Sequence, residues 1–416
     1  MNFTYEKTAA IRTKHTIFAG AKKPIGISPW DKTICSKMEA VKKLQMVDLI
    51  SQYNKIKPEI DQAVQNVITS SAYINGPEVK TFGKELEEYL DVKHVIPCAN
   101  GTDALQIAMM ALNFKPGDEI ITASFTYVAT AEVIALLQLK PVLVDVNPDD
   151  FTIDCDAIER AITPRTVAIV PVHLFGQCAN MQRVMEIANA HNLYVIEDTA
   201  QAIGADYTMA NGITYKAGTI GTIGTTSFFP SKNLGCMGDG GAIFTNDDQL
   251  AARIRMIANH GQSVQYHHDD IGVNSRLDSM QAAILRVKLP HLNDYCQARQ
   301  YAAAYYDKAF ANNPKIKTPG RMANSTHVFH QYTLVLNGVS RTALREHLEK
   351  KGIPSMIYYP IPLHMQKAYT DPRYKHGDFP VTEQLCDHVI SLPMHTEMSD
   401  EDLAYIAGSV LEFINK

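Results

Sequence analysis

Three short stretches of this 416-residue sequence carry side chains that could do chemistry. The first is Thr226-Ser227-Phe228-Phe229-Pro230-Ser231-Lys232-Asn233-Leu234-Gly235, followed by a glycine-rich run to Gly241. A lysine beside proline, in an apolar stretch, does not suit a solvated helix face. Burial would depress its pKa and leave a nucleophilic amine, which Schiff-base chemistry with a carbonyl compound requires. A surface loop lysine is the plain alternative. The second stretch is Val195-Ile196-Glu197-Asp198-Thr199-Ala200-Gln201, where two acids close an apolar run. In open α/β sheets ligands lie at the carboxyl ends of strands. A carboxylate there is a helix cap, a metal ligand or the partner of a cationic ligand atom. The third is Asn100-Gly101-Thr102-Asp103-Ala104-Leu105. It reads as a strand end followed by a helix start, where backbone N–H groups either hold a phosphate or are satisfied by an ordinary N-cap.

The elements that must position these residues alternate along the chain. Strands are expected over 95–98, 118–122, 141–146, 166–171 and 193–197, and helices over 103–113, 129–138, 156–162 and 181–191. That rhythm implies right-handed crossovers and a mostly parallel sheet, an α/β fold. Before it, 39–69 reads as helix with Val41, Leu44, Val47 and Ile50 on one side, and Ile74-Asn75-Gly76-Pro77 reads as a turn. Helices return over 248–259, 279–289 and 294–312, and 327–416 mixes strands and helices. The expected division is an N-terminal extension over 1–37, a large domain over 38–290 and a small C-terminal α+β domain over 291–416.

The extension has seven Lys and Arg against two acids, so it carries +5 and the remainder −10. It lacks an apolar run fit for a secretory signal and reads as a disordered or loosely docked segment. A start assigned too far upstream of Met38 fits the same pattern. The net charge of −5 and pI near 6.3 give no overall footprint for nucleic acid or an anionic membrane. The longest apolar stretch, 120–139, is interrupted by Ser, Thr, Tyr and Glu132, so no membrane span is expected. Seven cysteines, with no pair at CxxC spacing, argue for reduced thiols in a cytoplasmic protein rather than disulfides or a zinc ribbon. Gly218, Gly221 and Gly224 have the wrong spacing for a dinucleotide fingerprint. His267-His268-Asp269-Asp270 reads as a surface loop rather than a metal site, and no metal is expected.

Taken together, NGTDAL, SFTYVATA, VIEDTAQAIGA, SFFPSKNLGCMGDGGAIFTND and GVNSRLDSMQAAIL resemble the DegT/DnrJ/EryC1/StrS sugar aminotransferases from about Met46 to the C-terminus. The resemblance implies pyridoxal 5′-phosphate as cofactor and the PLP-dependent transferase fold type I, like aspartate aminotransferase. It makes Lys232 the cofactor-bonding lysine and Asp198 the partner of the ring nitrogen. Gln201 would lie near the ring's phenolic oxygen, and Tyr127 would stack on the ring. Gly101, Thr102, Asp103 and Ser227 would hold the phosphate. Asn274 would reach that phosphate from the neighbouring subunit, and Arg276 would approach substrate across the same interface, so the protein would be a homodimer with shared sites. Tyr359 and His364 would belong to the substrate loop. The implied reaction passes an amino group, with L-glutamate as donor, to a nucleotide-linked keto-sugar. FFPSKNLGCMGDGGAIFTND, ANHGQ and YHHDDIGVNSRLDSMQAAIL resemble the branch acting on UDP-linked 2-acetamido-3-keto-glucuronate, which serves surface polysaccharide such as lipopolysaccharide O-antigen. The 4-keto-6-deoxy branches share most of these motifs. A dehydratase, which carries histidine at the lysine position, a non-transaminating PLP-binding protein and a nicotinamide oxidoreductase are the competing readings.

Overall fold

The computed structural model describes residues 44–416, so the expected extension and helical residues 39–43 lie outside them. The helical stretch expected up to Thr69 is two helices, α1 (Leu49–Lys55) and α2 (Lys57–Ser70). Asp48 caps α1, accepting from Ser51 N at 2.9 Å. The chain breaks at Ile56 because Pro58 has no N–H and its ring opposes the carbonyl four residues back. Ile50, expected to face inward, is 65% exposed. The turn at Ile74–Pro77 forms, with Asn75 at φ +52°, and Pro77 opens α3 (Pro77–Leu90).

The α/β rhythm then runs as β1 (His94–Cys98), α4 (Gly101–Ala111), β2 (Glu119–Ala123), α5 (Ala129–Leu136) and β3 (Lys140–Val144). It continues through α6 (Cys155–Ala161), β4 (Thr166–Val170), α7 (Met181–His191) and β5 (Tyr194–Asp198). A small hairpin, β6 (Asp206–Thr208) and β7 (Thr214–Lys216), precedes β8 (Ile223–Ser227), β9 (Gly241–Thr245) and α8 (Asp248–Ala258). An exposed hairpin of β10 (Gln262–Val264) and β11 (His267–His268) leads to α9 (Ser279–Lys288) and the long α10 (Leu292–Phe310).

Seven strands form one sheet in the order β1-β9-β8-β5-β4-β2-β3. β3, β2, β4, β5 and β8 run parallel, whereas β9 is antiparallel to both its neighbours. Two reversals bring β1 back to the direction of β8. The carboxyl ends of β1, β5 and β8 therefore lie along one edge, and that edge carries all three chemically suggestive stretches. Both sheet faces are covered, which is why β2 and β9 are buried at every position. Leu86, Ile158, Val184 and Leu285 pack on one face, and Leu105, Ile107, Val133 and Ile254 on the other.

The C-terminal part adds β12 (Ile316–Lys317), β13 (Tyr332–Leu336), α11 (Arg341–Lys350), α12 (Pro380–His388), β14 (Val389–Leu392) and α13 (Asp400–Ile414). Its three strands form a separate antiparallel sheet. Tyr306, Phe310, Leu334, Leu344 and Ile406 fill a core of their own. The expected boundary at Pro290 falls in a short turn, but the cores divide inside α10. Leu292 and Cys296 join the large core, and Ala302 onward the small one. Val335, Leu385 and Val389 also reach the large core, so Leu44–Lys416 form a single compact unit. All six described cysteines are buried and free. Among the described residues no helix is long and apolar enough to cross a membrane, and no cluster of three or more His, Cys, Asp or Glu could hold a metal ion.

Candidate active site

A cavity of about 700 Å³ opens at the shared strand edge. Its wall holds Gly101, Thr102, Tyr127, Asp198, Gln201, Ser227, Lys232 and Tyr359, all expected from the sequence.

One part of the wall is built for an anion. Asn100 caps α4, its Oδ1 accepting from Asp103 N at 2.8 Å. The first N–H groups of a helix have no carbonyl to reach within it, so those of Gly101 and Thr102 are available to a ligand. A Cβ on Gly101 would lie 2.7 Å from Ser227 Cβ, so only glycine lets the helix start approach the end of β8 this closely. Asp103, expected at the phosphate, instead donates its N–H to the Asn100 cap and is not in the cavity wall.

Strand geometry decides the acid pair. Successive side chains alternate faces, so Glu197 and Asp198 point apart. Glu197 is fully buried and accepts four hydrogen bonds: His173 Nε2 at 2.9 Å, Gly218 N at 3.0 Å, Ile220 N at 2.7 Å and Gly221 N at 2.6 Å. The glycine run at 218–224 thus cradles a protein carboxylate, not a nucleotide. Asp198 turns into the cavity. Its Oδ2 accepts from Thr130 Oγ1 at 3.0 Å and its Oδ1 from Ala200 N at 3.1 Å. Those donors orient the carboxylate and leave lone pairs for a ligand cation.

Lys232 lies on the loop after β8, its own N–H bonded to Phe229 O at 2.8 Å. Desolvation pulls its amine down to about 8, against the opposing pull of Asp198. Gln201 bridges two parts of the wall: its Oε1 accepts from Phe175 N at 2.7 Å and its Nε2 donates to Tyr359 Oη at 3.0 Å. Burial pushes the Tyr359 phenol upward. Tyr127 stands at the rim, 57% exposed, its ring 6.2 Å from that of Tyr359.

Three expected residues lie elsewhere in this chain. His364 is buried behind the wall, its Nδ1 2.9 Å from Ser124 Oγ and its Nε2 3.1 Å from Glu383 Oε1, so neither ring nitrogen is open to a ligand of this cavity. Asn274 pairs with Asn259 through the backbone, and Arg276 donates to Asn259 Oδ1 at 3.2 Å. Arg276 borders a second, cationic cavity with Lys80, Lys84, Lys93 and Arg255. Sequence reasoning missed Asn100, Thr130, His330 and Gln331. Thr130 was within reach, because it lies in the SFTYVATA run. His330 carries no spacing signal, since only tertiary folding brings it to Lys232.

An amine made easier to uncharge by burial, sharing a cavity with a carboxylate, suits a ligand with an aldehyde and a basic ring nitrogen. The nearby anion cradle suits a phosphate on that ligand. Pyridoxal 5′-phosphate has all three groups, and fold and site together define a PLP-dependent transferase of fold type I. The chain belongs to the DegT/DnrJ/EryC1/StrS aminotransferase family, whose pattern matches residues 54–411. It is 45% identical over 367 residues to the UDP-2-acetamido-2-deoxy-3-oxo-D-glucuronate aminotransferase of Pseudomonas aeruginosa, covering 88% of this chain and 99% of that one. It is 45% identical over 370 residues to a Geobacillus stearothermophilus protein named pleiotropic regulatory protein, covering 88% and 98%. The solved structure of NtdA from Bacillus subtilis with bound cofactor PMP superposes with a TM-score of 0.83 at 30% identity, covering 91% of this chain and 87% of that one. The protein is an aminotransferase that uses pyridoxal 5′-phosphate.

Proposed function

We propose that this aminotransferase moves an amino group from L-glutamate to a UDP-linked 2-acetamido-3-keto-glucuronate, giving the 3-amino sugar for surface polysaccharide such as lipopolysaccharide O-antigen. The observation that carries the chemistry is the shared cavity of Lys232 and Asp198. Support for the sugar is the 45% identity to the Pseudomonas aeruginosa enzyme. The 37% identity to the dTDP-3-amino-3,4,6-trideoxy-alpha-D-glucose transaminase of Streptomyces venezuelae keeps a deoxy-sugar substrate as the alternative. Lys232 stands against the dehydratase reading. The likeness to a protein named as a regulator keeps a non-transaminating role as the second reading.

When bound, the cofactor supplies an electron sink for carbanion character at the substrate carbon. Gly101 N, Thr102 N and Ser227 Oγ would hold its phosphate, Asp198 its protonated ring nitrogen, and Gln201 the side of the ring. Lys232 Nζ, its basicity lowered by burial, would take the proton from the donor's Cα in the first half-reaction and deliver one to the former carbonyl carbon of the keto-sugar in the second. Tyr127 covers the open face of the site.

The proposed assembly is a homodimer. Phe229, which lines the site, and Leu49 and Met237, which line a second cavity with Pro230 and Cys236, are exposed apolar side chains that a partner subunit would cover. Asn274 and Arg276 would complete the partner's cavity, Arg276 facing the sugar carboxylate. Nucleotide-sugar substrates and buried free thiols support a cytoplasmic location.

The test supplies the purified enzyme with L-glutamate and, in turn, UDP-linked 3-keto-uronate and dTDP-linked 4-keto-6-deoxy sugars, and follows amino-sugar formation by mass spectrometry. Amination of the uronate supports the proposal. Preference for the deoxy sugar replaces the substrate, and turnover of neither favours the regulatory reading.

A further inference from the structure

The outer edge of the seven-stranded sheet borders another cavity, of about 690 Å³, a size ordinary for a small-molecule site. β1 is the edge strand, and its Val95, Ile96 and Pro97 line the cavity. α3 lies on one side, and the end of α8 with the segment around Arg276 on the other.

Five cationic side chains converge here: Lys80 and Lys84 from α3, Lys93 before β1, Arg255 from α8, and Arg276. Glu87 is the one carboxylate in the lining, and its Oε1 already accepts from Val95 N at 3.0 Å. Asp248, which faces Lys93, is held by His94 Nε2 at 2.7 Å. Among the described residues, Lys80, Lys84, Lys93 and Arg255 form no ion pair with a carboxylate. Lys80 and Lys84 also stand four apart on one helix, a spacing at which like charges repel.

Edge strands are often guarded by charge against pairing with another chain. This edge is already blocked, because Pro97 has no N–H to donate and the Val95 N–H is filled by Glu87. Five cations exceed that need. Gathered in one concavity, they draw anions into it.

We propose that this cavity is an anion site that takes the diphosphate of a nucleotide, with the lysines opposing its charge and the two guanidinium groups gripping its oxygens in pairs. The diphosphate has two sources. One is the nucleotide-linked substrate, entering across the interface that Arg276 would serve. The other is a free nucleotide bound apart from the reaction. Only the first source rests on the substrate proposed above.

The experiment titrates UDP into the full-length holoenzyme and reads its affinity by calorimetry. Both α3 lysines are exposed, so Lys80→Ala combined with Lys84→Ala removes charge without opening the core. That variant should bind UDP about 10-fold or more weakly, as expected for lost charge-assisted contacts. Lys80→Arg combined with Lys84→Arg keeps both charges and should stay within about 3-fold of the parent. Uridine, which lacks phosphate, should not distinguish the proteins. Equal UDP affinity in the parent and the alanine variant, or no UDP binding by the parent, overturns the proposal. Turnover separates the sources. A raised KM for the nucleotide-linked sugar, with that for L-glutamate unmoved, assigns the site to the substrate's diphosphate. An unmoved sugar KM beside weakened UDP binding assigns it to a free nucleotide. Should the parent aminate no nucleotide-linked sugar while the alanine variant still loses UDP, the anion site stands and the proposed substrate falls.

Discussion

Glu197 and Asp198 are adjacent on β5 and serve opposite ends. Glu197 faces away from the cavity, held by His173 and three backbone N–H groups, and Asp198 faces into it, held by Thr130 and Ala200. The first fixes the strand end and the second presents a charge from it. Their substitutions should therefore separate stability from catalysis.

Glu197→Ala should destabilise the protein by about 3–5 kcal/mol, because His173 and three amides lose a buried acceptor. Urea denaturation checks this. A loss below about 1 kcal/mol would mean that water replaces the carboxylate without penalty.

Asp198→Asn should leave the fold intact and cut turnover about 10²- to 10³-fold, the loss expected for a charge aimed at the reacting system. Near-parent turnover would remove Asp198 from the chemistry. Thr130→Val should give a smaller loss, about 10-fold, because only one hydrogen bond to that charge disappears.

Capture of pyridoxal 5′-phosphate should quicken with rising pH up to about 8 and level above it. The attacking species is the free amine, and below the lowered lysine pKa its fraction falls with each pH unit. A profile still climbing at about pH 10 would mean that the amine keeps its ordinary pKa.

Mixed dimers of Lys232→Ala and Arg276→Ala chains should recover activity that neither variant shows alone. A shared site predicts one cavity with a parent lysine and a parent arginine in each mixed dimer. No recovery would place Arg276 outside the partner's site.

Much of this was legible because it depends on local rules. The α/β rhythm and the turn at Asn75 follow from period and residue type. Asp198 and Ser227 were recognisable because each ends a strand in a motif, and Lys232 because its motif runs on from β8 into the following loop. The reversal of β9 was not, since an apolar run gives no direction. The break at Ile56 was missed although Pro58 signalled it. His330 was hidden for another reason: contacts between α10, the loop before β13 and the lysine loop, far apart in sequence, bring it to the cavity wall. His364 shows the converse, a residue suited to a ligand that folding pairs with Ser124 and Glu383.

The most direct test of the central claim is the absorbance spectrum of the purified protein with pyridoxal 5′-phosphate, taken before and after L-glutamate and again after a UDP-linked 3-keto-uronate. The account predicts a visible band that glutamate bleaches and the keto-sugar restores, with no band in Lys232→Ala. A band that glutamate leaves unchanged would contradict it and make cofactor binding without amino transfer the better description of this protein.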